Sequence, residues 1–192
     1  MRTVAILVMG MLATPAPAVD AGPAPAAAGI FTPNLGFDLS FSAALPNDRR
    51  FSGSTVGYGL SLLTVADRVD VGLLHEEGHF HGHDAGTHVS VRSRFNAIRL
   101  DWRVVEGLDQ QLSLNLATGH ISFHDGLRRS AFAADLGVSY DPWVAARGGV
   151  STAFGIALRY RYCHVASTDV FGTSPVDDAG GFFAGVHGLV RF

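Results

Sequence analysis

Leu35-Gly36-Phe37-Asp38-Leu39-Ser40-Phe41-Ser42 puts an apolar side chain at every odd position and a small or polar one at every even position. Successive side chains of an extended strand point to opposite faces, so this octapeptide reads as a strand with one greasy and one polar face. The same period of two recurs along the chain. Val56, Tyr58, Leu60 and Leu62 form a second run, and Val69, Val71 and Leu73 a third. Leu112, Leu114 and Leu116 follow further on, then Phe132, Ala134, Leu136, Val138 and Tyr140. Phe154, Ile156, Leu158, Tyr160 and Tyr162 make the next run, and Phe182, Ala184, Val186, Val190 and Phe192 the last.

Between the third and fifth runs the parity changes. Val89, Val91 and Phe95 stand on one phase and Ile98, Leu100, Trp102 and Val104 on the other. A β-bulge near Asn96-Ala97 would reconcile the two within one strand and keep an even count of eight; a turn there would split the segment. The bulge is the preferred reading. Short connections at Ala66-Asp67-Arg68, Glu106-Gly107-Leu108-Asp109 and Asp141-Pro142 alternate with longer ones near 45–53, 75–87, 118–128 and 163–181. Short turns at one end and long loops at the other are the layout of a transmembrane barrel.

The polar face separates that barrel from a soluble sandwich. It is rich in Gly, Ser, Ala and Asn, with Asp38, Asp70, Arg92, Arg94, Arg99, Asp101, Arg103, Asp135, Arg159 and Arg161 interspersed. Small residues and opposite charges suit the filled interior of a narrow barrel, where ions can pair. Charged residues are 16% of the chain against 47% hydrophobic, well below the charge of an ordinary soluble domain. Tyr140, Trp143, Tyr160 and Tyr162 suit interfacial girdles. The expectation is an all-β, antiparallel up-and-down transmembrane β-barrel of about eight strands over residues 34–192. Ahead of it, Met1-Arg2, the apolar Thr3–Leu12 and the small residues to Ala21 have the layout of a secretory signal peptide (1–21). An Ala/Pro-rich lead-in (22–33) follows. The expected location is a bacterial outer membrane, with lipid or lipopolysaccharide around the wall. A final strand ending in Phe192 would serve as the signal to barrel assembly machinery.

The net charge of −3 argues against nucleic acid as a partner. The single cysteine, Cys163, excludes an internal disulfide and a thiolate metal cage. His75-Glu76-Glu77-Gly78-His79-Phe80-His81-Gly82-His83-Asp84 is the candidate metal segment. Its His79, His81 and His83 share one face if extended and could hold zinc, nickel or copper. The competing and favoured reading is a polar surface loop that binds divalent metals weakly and no dedicated cofactor. His120 and His124 fall in another expected loop, and His187 on the inward phase.

Leu158-Arg159-Tyr160-Arg161-Tyr162-Cys163-His164-Val165-Ala166-Ser167, with Pro175-Val176-Asp177-Asp178-Ala179-Gly180-Gly181-Phe182 after it, resembles the end of outer-membrane lipid A 3-O-deacylases, an eight-stranded barrel family. The resemblance covers about the last 35 residues specifically and the rest only as a barrel. It implies a catalytic base at His164, a nucleophile at Ser167 and an acid at Asp177 or Asp178. The family's serine falls two residues after its histidine, where this chain has Ala166, and Ser167 is one position late. Without an activated hydroxyl there is no acyl intermediate. The reading is therefore a deacylase-like barrel leaning away from enzyme activity, with a structural or surface-interaction role. An active ester hydrolase on lipopolysaccharide and a metal-binding surface barrel are the alternatives.

Overall fold

A computed structural model describes residues 30–192 apart from 85, 108, 125–127, 148 and 164–179. Among the described residues all regular structure is strand: β1 (Phe31–Pro46), β2 (Phe51–Val65), β3 (Val69–Asp84), β4 (Thr87–Glu106), β5 (Gln111–His124), β6 (Arg128–Arg147), β7 (Val150–Cys163) and β8 (Gly181–Arg191). Each pairs antiparallel with its sequence neighbours, and β1 closes the barrel on β8 from Gly36↔Arg191 to Pro46↔Gly181. Closure removes the free edges of an open sheet, and the strands pair on both sides through most of the wall.

The alternation carries over into facing. In β1 the exposed Phe37, Leu39 and Phe41 alternate with the inward Asp38, Ser40 and Ser42. Leu114 and Leu116 of β5, Leu136 of β6, Ile156 and Leu158 of β7 and Val186 of β8 continue the apolar outer wall. At the end where β2 meets β3, Val65-Ala66-Asp67-Arg68 closes a two-residue turn, Arg68 N–H donating to the Val65 carbonyl at 3.1 Å. Ala66 and Asp67 have φ of 49° and 59°, the mirror-image turn whose twist matches a hairpin.

The expected bulge at Asn96-Ala97 does not exist. β4 pairs without interruption with β3 from Val69↔Trp102 to Asp84↔Thr87, and with β5 from Arg92↔His124 to Arg103↔Ser113. The parity change is real but has another cause, which is that the wall reverses polarity along its height. Ile98, Leu100 and Trp102 face outward, as do Asn96, Arg94 and Arg92 above them, whereas Val91, Phe95 and Ala97 face inward and are buried. Arg92 and Arg94 are thus exterior, against the expectation that they line the lumen. The same reversal occurs on β5, where the outward Leu114 and Leu116 give way to Thr118, His120 and Ser122, while Ile121 and Phe123 turn inward.

Three of the expected long loops are largely strand. The connections at 45–53, 75–87 and 118–128 shrink to the short gaps between β1 and β2, β3 and β4, and β5 and β6. The histidine-rich segment is therefore part of β3, and His120 and His124 belong to β5. β4 and β6 each run 20 residues, about twice the 9–11 needed to cross a bilayer. The excess stands beyond the hydrocarbon.

Candidate functional site

The barrel interior has two layers. The layer nearer the short turns is ionic. Arg99 pairs with Asp38 at 2.8 Å and Asp101 at 2.6 Å. Arg191 reaches Asp70 at 2.6 Å, and Thr64 donates to the same carboxylate at 2.7 Å. His187 Nε2 lies 3.0 Å from Asp141, which places this histidine inside as its phase predicts. Glycines make room for these groups: a Cβ on Gly59 would sit 2.6 Å from Arg99 Nη1, and one on Gly155 would meet Asp141 Oδ1 at 2.2 Å. A cavity of about 70 Å³ remains, lined by Asp38, Arg99, Asp101, Asn115, Asp141 and His187 among others. Asp38 Oδ1 and Asn115 Oδ1 are buried there without a hydrogen-bond partner among the described residues. A polar space of that size accommodates water.

Above it, Arg161 is the largest fully buried side chain. Its Nε and Nη2 make a two-pronged contact with Asp135 at 2.6 and 2.7 Å, and Nη2 lies 2.9 Å from Glu76. Arg159 contacts both carboxylates as well. The Arg161 guanidinium is stacked over Phe95 at 4.1 Å and Phe183 at 4.7 Å, a cation on two negative ring faces. These rings belong to the second layer, an apolar plug of Phe51, Phe80, Val91, Phe95, Ile121, Phe123, Ala133, Cys163 and Phe183. The ionic quartet and the plug together fill the lumen beyond the polar cavity. An eight-stranded barrel leaves space only for side chains, and here they occupy it.

The outer surface records the complementary change. Rows of directly opposed outward residues cross β3, β4 and β5. Leu73, Ile98 and Thr118 form one row, and His75, Asn96 and His120 the next. Glu77, Arg94 and Ser122 follow, then His79, Arg92 and His124. Apolar side chains face out where ions face in, and polar ones face out where the plug lies inside. That exchange marks where the outer neighbour changes from hydrocarbon to water. On β6, β7 and β8 the exposed outer face stays aromatic further up, through Phe132, Tyr162 and Phe182. Tyr140 and Trp143 are exposed towards the other end, so the expected aromatics do face outward at both margins.

The expected site residues fare differently. His164, Ser167 and Asp178 lie outside the described residues. His79, His81 and His83 do share the exposed face of β3, but His79 and His83 stand about 13 Å apart along the strand, too far for one ion to take all three at imidazole bond lengths of about 2.1 Å. Among the described residues no group of three or more His, Cys, Asp or Glu side chains is gathered to hold a metal. His83 instead meets the ring of His88 edge-on at 5.4 Å, and His75 Nδ1 lies 2.7 Å from Asn96 Oδ1. Sequence reasoning missed the Glu76–Asp135–Arg159–Arg161 quartet as a unit and read Glu76 only as part of the candidate metal segment. The signal available was its phase, since Glu76 alternates with His75 and Glu77 and so had to face inward.

A closed eight-stranded meander with an ionic lumen and a greasy outer belt defines a transmembrane β-barrel. Comparison with solved structures agrees on the fold. The chain is similar to the outer membrane protein OprG from Pseudomonas aeruginosa, at 10% identity and a TM-score of 0.51, over 83% of this chain and 96% of that one. It also aligns with Neisserial surface protein A (12% identity, TM-score 0.46, 84% and 97% covered). The N-terminal β-barrel domain of Pseudomonas aeruginosa OprF aligns at 13% identity and a TM-score of 0.43, with 84% and 99% covered. No family model and no curated protein sequence matches the chain.

Proposed function

We propose that this protein is a non-conducting outer-membrane barrel whose role is structural or surface-interactive, exercised by the part of its wall that rises above the bilayer. The observation that carries this reading is the lumen itself: among the described residues it is occupied by the buried Arg161 with its two carboxylates and by the phenylalanine plug above it. The outward apolar belt, the short turns at one end and the 164–180 connection at the other support an orientation with the plug on the outer side. Planar-bilayer recording tests it. The expected result is no stepwise conductance for the refolded protein; steady ion-conducting openings would refute the closed-barrel reading.

The deacylase resemblance supports a second reading, an ester hydrolase acting on lipid A. Tyr160 and Tyr162, within the resembling segment, lie on the outward phase of β7, the side from which a membrane lipid would approach. Mass spectrometry of lipopolysaccharide after incubation with the protein decides between the two. Loss of an ester-linked acyl chain that disappears in His164→Ala would establish the hydrolase. An unchanged lipid favours the structural role, in keeping with Ala166 standing where the family has its serine.

A further inference from the structure

The wall above the hydrocarbon edge presents two arginines, Arg92 and Arg94, among outward histidines. His79, Arg92 and His124 are directly opposed across β3, β4 and β5. All three face outward. Adjacent strands are about 4.8 Å apart, so these three side chains are immediate neighbours on the outer face. Arg94 stands one row below on the same face. Glu77, the acid of this patch, is shared between Arg94 at 3.2 Å and His75 at 3.8 Å. The Arg92 guanidinium makes no hydrogen bond or ion pair among the described residues. A cleft of about 310 Å³ opens between Glu77, His79, Arg92, Arg94 and His124.

We infer that this cleft binds the phosphorylated saccharide headgroup of a glycolipid in the outer leaflet. The inference rests on the outer-membrane orientation proposed above and names the partner of that exposed wall. Arginine offers paired N–H donors that match phosphate geometry, and imidazoles beside it add donors over a wider area.

Height selects the class of anion. A strand rising about 3.3 Å per residue and tilted about 40° gains about 2.5 Å of height per residue. Ile98 is the last outward apolar residue of β4, which puts Arg94 about 10 Å and Arg92 about 15 Å above the hydrocarbon edge. The headgroup zone of a simple bilayer is only about 5–8 Å deep on each side. A phosphate on a glycerol-based lipid would fall short of Arg92, whereas phosphates carried on lipid-anchored sugars reach that level. The opposed row continues onto β6, where Arg128 pairs in register with His124, so the site belongs to the β3–β6 side of the barrel.

The test is a binding titration of the full-length refolded protein, in micelles, with purified lipopolysaccharide and with the same material stripped of phosphate. The expected result is at least tenfold weaker binding of the dephosphorylated form, and a similar loss for Arg92→Gln/Arg94→Gln with intact lipopolysaccharide. Arg92→Lys/Arg94→Lys, which keeps the charge but loses the paired donors, should bind more weakly than wild type but more tightly than the Gln double variant, and Arg147→Gln, near the opposite end, should keep all of the affinity. Heat-modifiable electrophoretic migration confirms that each variant is folded. Equal binding of the two lipid forms, or wild-type binding by the Gln double variant, would overturn the inference. Failure of the protein to insert into vesicles would instead strike the outer-membrane reading. Insertion without phosphate-dependent binding would remove the headgroup site alone.

Discussion

Arg161→Met tests how the lumen is held together. The native quartet is charge-balanced, Glu76 and Asp135 against Arg159 and Arg161, and three of its four side chains are at most 3% exposed. Methionine keeps much of the volume between Phe95 and Phe183 but removes the two-pronged contact with Asp135 and the contact with Glu76. One of the two buried carboxylates then has no full countercharge. Breaking a buried ion pair from one side costs about 3–5 kcal/mol, most of it the penalty of the stranded charge. Adding Glu76→Gln restores neutrality, so the double variant should recover about half of that loss. Urea unfolding in lipid vesicles, followed by the fluorescence of the outward Trp102 and Trp143, measures both. A single-variant cost below about 1 kcal/mol, or a double variant no more stable than the single, would refute the charge-balance argument.

Three further outcomes follow from other parts of the wall. Gly59→Val should push Arg99 away from Asp38 and Asp101, because its Cβ would fall 2.6 Å from Nη1; a loss of about 1–3 kcal/mol in the same unfolding assay is expected. Ala66→Gly should stabilise the β2–β3 hairpin by up to about 1 kcal/mol by relieving a positive φ, whereas Gly149→Ala, at φ 85°, should destabilise by a similar amount, both read as shifts in urea midpoint. In the β1–β2 turn, side-chain hydrogen bonds from Arg50 hold the Asp48 carboxyl below its ordinary range, against some opposing desolvation. A lowered folded value means the pair stabilises above the unfolded pKa of about 4 and its contribution is lost as pH falls through the folded one. Asp48→Asn should therefore flatten the acid limb of the stability–pH curve, by about 0.5 kcal/mol for so exposed a pair.

The strands were legible because each has one face against hydrocarbon or core, and a period of two survives any tertiary detail. Phe37, Leu39 and Phe41 show it on β1, and Ile156 and Leu158 on β7. The lumenal ions Asp38, Arg99, Asp101, Asp135, Arg159 and Arg161 were legible for the same reason. What misled was the assumption that one phase stays greasy along a whole strand. In β4 the chain leaves the bilayer between Ile98 and Asn96, and the apolar phase crosses to the inside with no backbone irregularity. That crossing mimics a bulge in the sequence. It also made His79, His81 and His83 look like loop residues, since polar side chains and glycines replaced the expected belt, yet Phe80 kept the period of two on the inner face. Partners across the barrel, such as Glu76 and Arg161, depend on closure and were not readable from local spacing.

The location of the hydrocarbon edge is the most direct measurement. Single cysteines at Leu73, Ile98, Leu116, His79, Arg92 and Ser122, in a Cys163→Ser background, can be labelled with a fluorophore and exposed to bilayer-embedded or aqueous quenchers in vesicles. The account predicts that labels at Leu73, Ile98 and Leu116 respond to the lipid quencher, and those at His79, Arg92 and Ser122 to the aqueous one. A uniform response along β4, with residues 92 and 98 in the same medium, would contradict it.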